Sequence, residues 1–93
     1  MFKLTSTKEL SKLLKEITIL YVEDEDEARK NISETLSKFS DNVLIASNGG
    51  EALKIFKEKS IQLVITDIEM PVIDGIKLIE KIRKDDVVMP VIV

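Results

Sequence analysis

The chain is expected to fold as an α/β domain built on a doubly wound parallel sheet. Three observations carry that expectation: short runs of β-branched and aromatic residues, intervening stretches with apolar residues at helical spacing, and connections of only a few residues between them. Such alternation makes βαβ units, whose right-handed crossovers lay helices on both faces of the sheet.

The elements follow in order. Leu10, Leu13, Leu14 and Ile17 fall at i, i+3, i+4 and i+7, one apolar helix face, and Ser6 with Glu9 fits a capping box ahead of it. Residues 1–16 are therefore expected to be an N-terminal amphipathic helix, and residues 17–93 the sheet domain. Ile17 to Val22 has the composition of a strand buried on both faces. After the acidic stretch Glu23 to Glu27, the apolar positions Ala28, Ile32, Leu36 and Phe39 return to helical spacing, with acids where a helix amino terminus favours them. Val43 to Ala46 reads as the second strand, and Ala52, Ile55 and Phe56 as the buried face of a second helix capped by Asn48 with Glu51. Ile61 to Thr66 is the third strand. The turn Pro71 to Gly75 leads into a helix marked by Ile76, Leu78, Ile79 and Ile82, and Val87 to Val93 begins the fourth strand.

That last strand is expected at an open sheet edge with no following helix to cover it, and such an edge invites pairing. Two expectations follow: the domain continues past Val93 and this chain is a truncated piece, or the edge is covered by a second copy through edge association or domain swapping, giving a homodimer.

Composition narrows the function. The 93 residues are 44% hydrophobic and 33% charged, enough for one core and one domain. The net charge of -3 is small and the basic residues are scattered, so direct nucleic-acid binding is not expected. With no Cys and no His, disulfide frameworks and thiolate or imidazole metal sites are excluded. The longest apolar run is broken by Pro90 and falls far short of the roughly 20 residues a membrane helix needs. No signal-peptide pattern opens the chain, and a cytoplasmic location is expected.

In a doubly wound sheet, ligands bind beyond the carboxyl ends of the strands, where strand order reverses. Glu23, Asp24 and Asp67 all stand at such ends. A strand order of 2-1-3-4 makes strands one and three neighbours about 4.8 Å apart and brings these acids into one cleft. Two carboxylates about 5 Å apart repel by ~3 kcal/mol at an effective dielectric near 20, which favours proton uptake or a bound cation. Oxygen ligands select hard ions, and a few carboxylates with waters and a phosphate oxygen suit magnesium best. A carboxylate shielded in this way can attack phosphorus, and Asp67, closing the third strand, is the candidate nucleophile.

Plainer roles stand beside these. Glu25, Asp26 and Glu27 read as a solvated helix start, and Glu23, Asp24 or Asp67 taken singly could be a dipole partner or turn former. An EF-hand reading fails because Asp24-Glu25-Asp26-Glu27 is followed by Ala28 where a sharp loop turn needs Gly. Gly49-Gly50 lacks the spacing of a phosphate-binding loop and reads as a turn into the second helix.

Leu20-Tyr21-Val22-Glu23-Asp24-Glu25, followed by Thr66-Asp67-Ile68-Glu69-Met70-Pro71-Val72-Ile73-Asp74-Gly75, resembles the receiver domain of two-component response regulators, the CheY-like group with a flavodoxin-like fold. A strand-ending Asp, then Met-Pro, then Asp-Gly before a helix is the specific part. Ala46 to Leu53 also resembles the family's second strand-to-helix junction, and the likeness runs from about Ile17 to Val93. The resemblance implies that Asp67 accepts a phosphoryl group from a histidine kinase. It further implies that Asp24 binds Mg2+ directly, that Glu23 acts mainly through water, and that Glu69 lends a backbone carbonyl to the metal. The side chain of Glu69 would then stand at the mouth of the site as a possible tuner. The family's Thr or Ser ending strand four and its Lys ending strand five would lie past Val93, so this stretch alone is expected to phosphorylate poorly or not at all.

Two other functions compete. Asp67-Ile68-Glu69 loosely resembles the nucleophile motif of Mg2+-dependent phosphohydrolases of the haloacid dehalogenase kind, but that nucleophile ends the first core strand and is followed by a second Asp. The other is an interaction or dimerisation module that keeps the fold without phosphorylating.

Overall fold

A computed structural model describes residues 9, 12, 13, 15–67, 74–85 and 89–93. Its sheet is built around β1 (Thr18–Val22), the β-branched run of the sequence, which pairs with β2 (Asn42–Ala46) on one side and β3 (Leu63–Thr66) on the other. β4 (Val91–Ile92) pairs with β3, all pairs are parallel, and the order is β2-β1-β3-β4. The expected order 2-1-3-4 is therefore the observed one, and α/β architecture holds.

The crossovers are α1 (Asp26–Leu36), α2 (Gly49–Glu58) and α3 (Gly75–Asp85). Because β1 to β2 steps one way and β2 to β3 to β4 the other, right-handed crossovers put α1 on one face and α2 with α3 on the other. The second face holds the main core. Leu20, Val22, Ala46 and Val64 point into it from the strands, meeting Ala52, Leu78 and Ile82 from the helices, with Ile61 and Met89 closing the ends. Burying a Leu or Ile side chain fully contributes about 1.5–3 kcal/mol, so these few residues carry the fold's stability.

Two helix starts are set by side chains. Asn48 Oδ1 accepts the Glu51 N–H at 2.8 Å, as its sequence position suggests, while the Glu51 carboxylate reaches back to the Ser47 hydroxyl, also at 2.8 Å. Asp74 Oδ1 accepts the Lys77 N–H at 2.8 Å and starts α3.

Several boundaries depart from expectation. Phe39 is not part of the first helix: α1 ends at Leu36, and the chain turns through Lys38, Phe39 and Ser40, whose amides bond to Thr35 and Leu36 carbonyls. The Ser33, Thr35 and Ser37 hydroxyls bond back to carbonyls one turn earlier, a competition with the helix ladder that marks its weakening end. The apolar face of α1 is only partly covered, with Ile32 43% exposed, and Phe39 in the turn that follows is 45% exposed; the main strand contact of α1 is with β2. Ile61 and Gln62 precede β3: Gln62 bonds Thr18 through both its backbone N–H and its side-chain oxygen, closing the sheet end without extending the ladder. The fourth strand is two residues long where seven were expected; Pro90, with no N–H to give, contributes only its carbonyl, to the Val64 amide. Residues 86–88 lie outside the described residues, as do Ser6, Leu10 and Leu14 of the expected N-terminal helix, in which Glu9, Lys12, Leu13 and Lys15 have helical backbone.

Candidate functional site

Register places the acids. Val22 is the partner of both Ala46 and Thr66, so β1, β2 and β3 end at one level. Beyond that level the Glu23 N–H donates to the Ala46 carbonyl at 3.1 Å, and the Asp67 N–H to the Val22 carbonyl at 3.3 Å. The chain thus leaves the sheet with Glu23, Asp24 and Asp67 side by side, and one carboxylate oxygen from each lies within 4.8 Å of the others. Asp24 and Asp67 are exposed and Glu23 is half-buried.

Glu23 bears the electrostatic strain of this crowding. Partial burial pushes its carboxyl above the ordinary glutamate range, aided by Asp24 and Asp67, while the Glu25 N–H, 3.5 Å from its Oε2, works the other way. Tyr21, buried on the α1 face, has its hydroxyl raised by burial and then by the nearby negative charge of Glu23 and Asp67, with Arg29 opposing. Its hydroxyl has no hydrogen-bond partner among the described residues.

The donor set is chemically uniform: three carboxylates, two exposed and one half-buried, at the spacing of a shared cation. Hard divalent ions prefer such ligands and keep waters in their remaining positions, so the three acids fit Mg2+. Glu69, the fourth candidate ligand, lies outside the described residues. Glu25, Asp26 and Glu27 stay on the exposed start of α1, as the plainer reading held; Asp26 pairs with Arg29.

Sequence reasoning missed two contributors. Arg29 hydrogen-bonds the backbone of the loop that carries Glu23 and Asp24; its only sequence signal is an Asp three residues earlier, a spacing common on any exposed helix. Ser40, buried, donates to the Ile17 carbonyl and accepts from the Asn42 N–H, both at 3.1 Å, tying the start of β1 to β2.

A parallel 2-1-3-4 sheet with clustered carboxylates at its switch point defines an α/β domain suited to cation-assisted phosphoryl chemistry. The response regulator receiver domain family matches residues 19–93, and the chain belongs to that family, the receiver module of two-component signal transduction. It is 43% identical over 67 residues to a probable transcriptional regulator, ycf27, of Cyanidium caldarium, a match covering 72% of this chain and 27% of that protein. Among solved structures it resembles the response regulator TrrA of Thermotoga maritima in complex with Mg2+-BeF, with TM-score 0.70 and 41% identity over 75% of this chain and 61% of that one. It also resembles the receiver domain of Saccharomyces cerevisiae Ssk1, crystallised with the histidine phosphotransfer protein Ypd1, with TM-score 0.72 and 31% identity over 78% of this chain and 50% of that one. The chain spans about a third or less of the length of the curated relatives it matches.

Proposed function

We propose that Asp67 is the phosphoacceptor, and that Asp24 and Asp67 hold Mg2+ directly, with Glu23 acting through water and Glu69 through its backbone carbonyl. The observation that carries this reading is the convergence of Glu23, Asp24 and Asp67 within 4.8 Å at the ends of adjacent strands. The phosphodonor is a histidine kinase or a histidine phosphotransfer protein, in keeping with the pairing of Ssk1 with Ypd1.

Asp67 is exposed, so a donor's phosphohistidine has access to it. One carboxylate oxygen of Asp67 forms the bond to phosphorus while the phosphorus–nitrogen bond breaks and the imidazole leaves with the electron pair and takes a proton. Water later cleaves the acyl phosphate, returning the carboxylate and inorganic phosphate. Mg2+, held by Asp24 and Asp67, would supply charge screening for the incoming phosphoryl group and so lower the electrostatic barrier to its approach. The Asp67 N–H bond to Val22 fixes the backbone from which the nucleophile projects. The protein is a switch with no turnover of a separate substrate. By the family resemblance, Glu69 would tune the lifetime of the acyl phosphate, and Glu69→Asn is expected to change that lifetime; an unchanged lifetime would end this reading.

The test is mass spectrometry of the chain after exposure to acetyl phosphate and Mg2+, beside Asp67→Asn. Phosphorylation of this stretch is expected to be slow and incomplete, and any single phosphoryl adduct to be absent from Asp67→Asn. Mg2+ binding with no adduct would instead favour a receiver-like interaction module, and an adduct surviving in Asp67→Asn would remove Asp67 from the role.

A further inference from the structure

We propose that Arg29 is a positioning residue for the cation: its guanidinium fastens the backbone of the β1–α1 loop and so holds Glu23 and Asp24 where they converge with Asp67. The proposal rests on the metal-binding reading above.

Arg29 lies in the first turn of α1 with its side chain turned back under the loop. Nη1 donates to the Glu23 carbonyl at 3.0 Å and is 3.4 Å from the Asp24 carbonyl, while Nη2 donates to Asp26 Oδ1 at 2.6 Å. Elsewhere this loop is poorly held. Glu25, at the amino cap of α1, makes no side-chain capping bond, and the Glu25 N–H to Glu23 Oε2 contact is long at 3.5 Å. Glu23 is anchored on the sheet side through its N–H to Ala46. The bonds from Nη1 tie down the two residues whose carboxylates matter, on the opposite side of the chain.

The ion pair with Asp26 does not explain the arrangement. The Asp26 side chain is 93% exposed against 24% for Arg29, and a pair that open to water contributes little. A guanidinium beside a would-be cation site carries an electrostatic cost, since its charge repels a divalent ion. Its charge and its tether therefore act in opposite directions on metal binding, which makes them separable. A rigid planar fork can bond neighbouring carbonyls and a carboxylate together; a lysine ammonium keeps the charge but not the fork.

The experiment is a Mg2+ titration of the full chain followed by backbone amide NMR shifts, with backbone order parameters for residues 23–26 measured without metal, in the wild type, Arg29→Lys, Arg29→Gln and Asp26→Asn. Urea unfolding confirms that each variant is folded. If Arg29 positions the loop, Arg29→Lys and Arg29→Gln both weaken Mg2+ binding by roughly tenfold or more, the range seen when partners outside the ligand set are lost. Their loop order parameters fall while those of β1 stay unchanged, and Asp26→Asn binds within about twofold of the wild type on the same scale. Wild-type affinity in Arg29→Lys together with tighter binding in Arg29→Gln would overturn the proposal in favour of a purely electrostatic role. Unchanged order parameters in both Arg29 variants would overturn it as well. A wild-type chain that binds no Mg2+ would instead remove the metal reading on which the proposal depends, a result distinguishable because the order parameters are measured without the ion.

Discussion

The Asp67 amide donates to the carbonyl of Val22 at 3.3 Å, so the strand that carries the proposed phosphoacceptor is stitched to the central strand at the point where both leave the sheet. Glu23 and Asp24 follow Val22 directly, and this bond is why acids more than forty residues apart in the chain face one another.

Crowding at this point has a measurable pH signature. The Glu23 carboxyl is raised above its ordinary value, so its protonation stabilises the fold fully below that ordinary value, and the contribution is lost as pH rises through the raised one. Without metal, Glu23→Gln is expected to be more stable than the wild type at neutral pH by up to about 1 kcal/mol, the repulsion of two carboxylates near 5 Å at a water-like dielectric. The advantage shrinks to nothing by about pH 4, where both carry a neutral side chain. Urea unfolding across that range checks it; a variant less stable at neutral pH would contradict the reading.

Asp24→Asn is expected to weaken Mg2+ binding about tenfold or more, roughly 1.4 kcal/mol, since it removes the charge of a proposed ligand from an exposed position. Calorimetric titration at fixed ionic strength measures this directly. Equal affinity in the two proteins would mean that Asp24 is not a ligand.

Leu78 is fully buried between α3 and the central strands, and Leu78→Ala is expected to cost about 2–5 kcal/mol, a large part of the stability of so small a domain. Chemical denaturation at neutral pH provides the number. A loss below 1 kcal/mol would show that the site collapses around the missing atoms.

Asn48→Ala removes the accepting oxygen at the start of α2 and is expected to cost about 1 kcal/mol, whereas Ser40→Ala breaks two part-buried bonds that tie β1 to β2, costing about 1–3 kcal/mol. Thermal unfolding of the two variants side by side tests the ranking, and the reverse order would show that water replaces the Ser40 hydroxyl.

The fold class and three of the acids were legible in the sequence because both depend on short-range signals. Ile17 to Val22 can scarcely be anything but a buried strand, and an acid placed directly after such a strand must emerge at its carboxyl end. What escaped depends on partners remote in sequence. Nothing local says where α1 ends, so the inclusion of Phe39 in its apolar spacing was overdrawn. The brevity of β4 follows from Pro90 and from its single described neighbour, β3, not from its apolar composition. Arg29 and Ser40 act on backbone carbonyls, which carry no residue-type signature.

The common level at which β1, β2 and β3 end makes the sheet a ruler for the site. Successive residues of a strand face opposite sides, so a shift of β3 by one position against β1 would turn Thr66 and Val64 out of the core and carry Asp67 away from Glu23. Lengthening the connection between α2 and β3 by a residue leaves that alignment intact, whereas adding one inside β3 destroys the core and the acidic cluster together. Tolerance to insertion along this chain is therefore set by pairing rather than by distance from the acids.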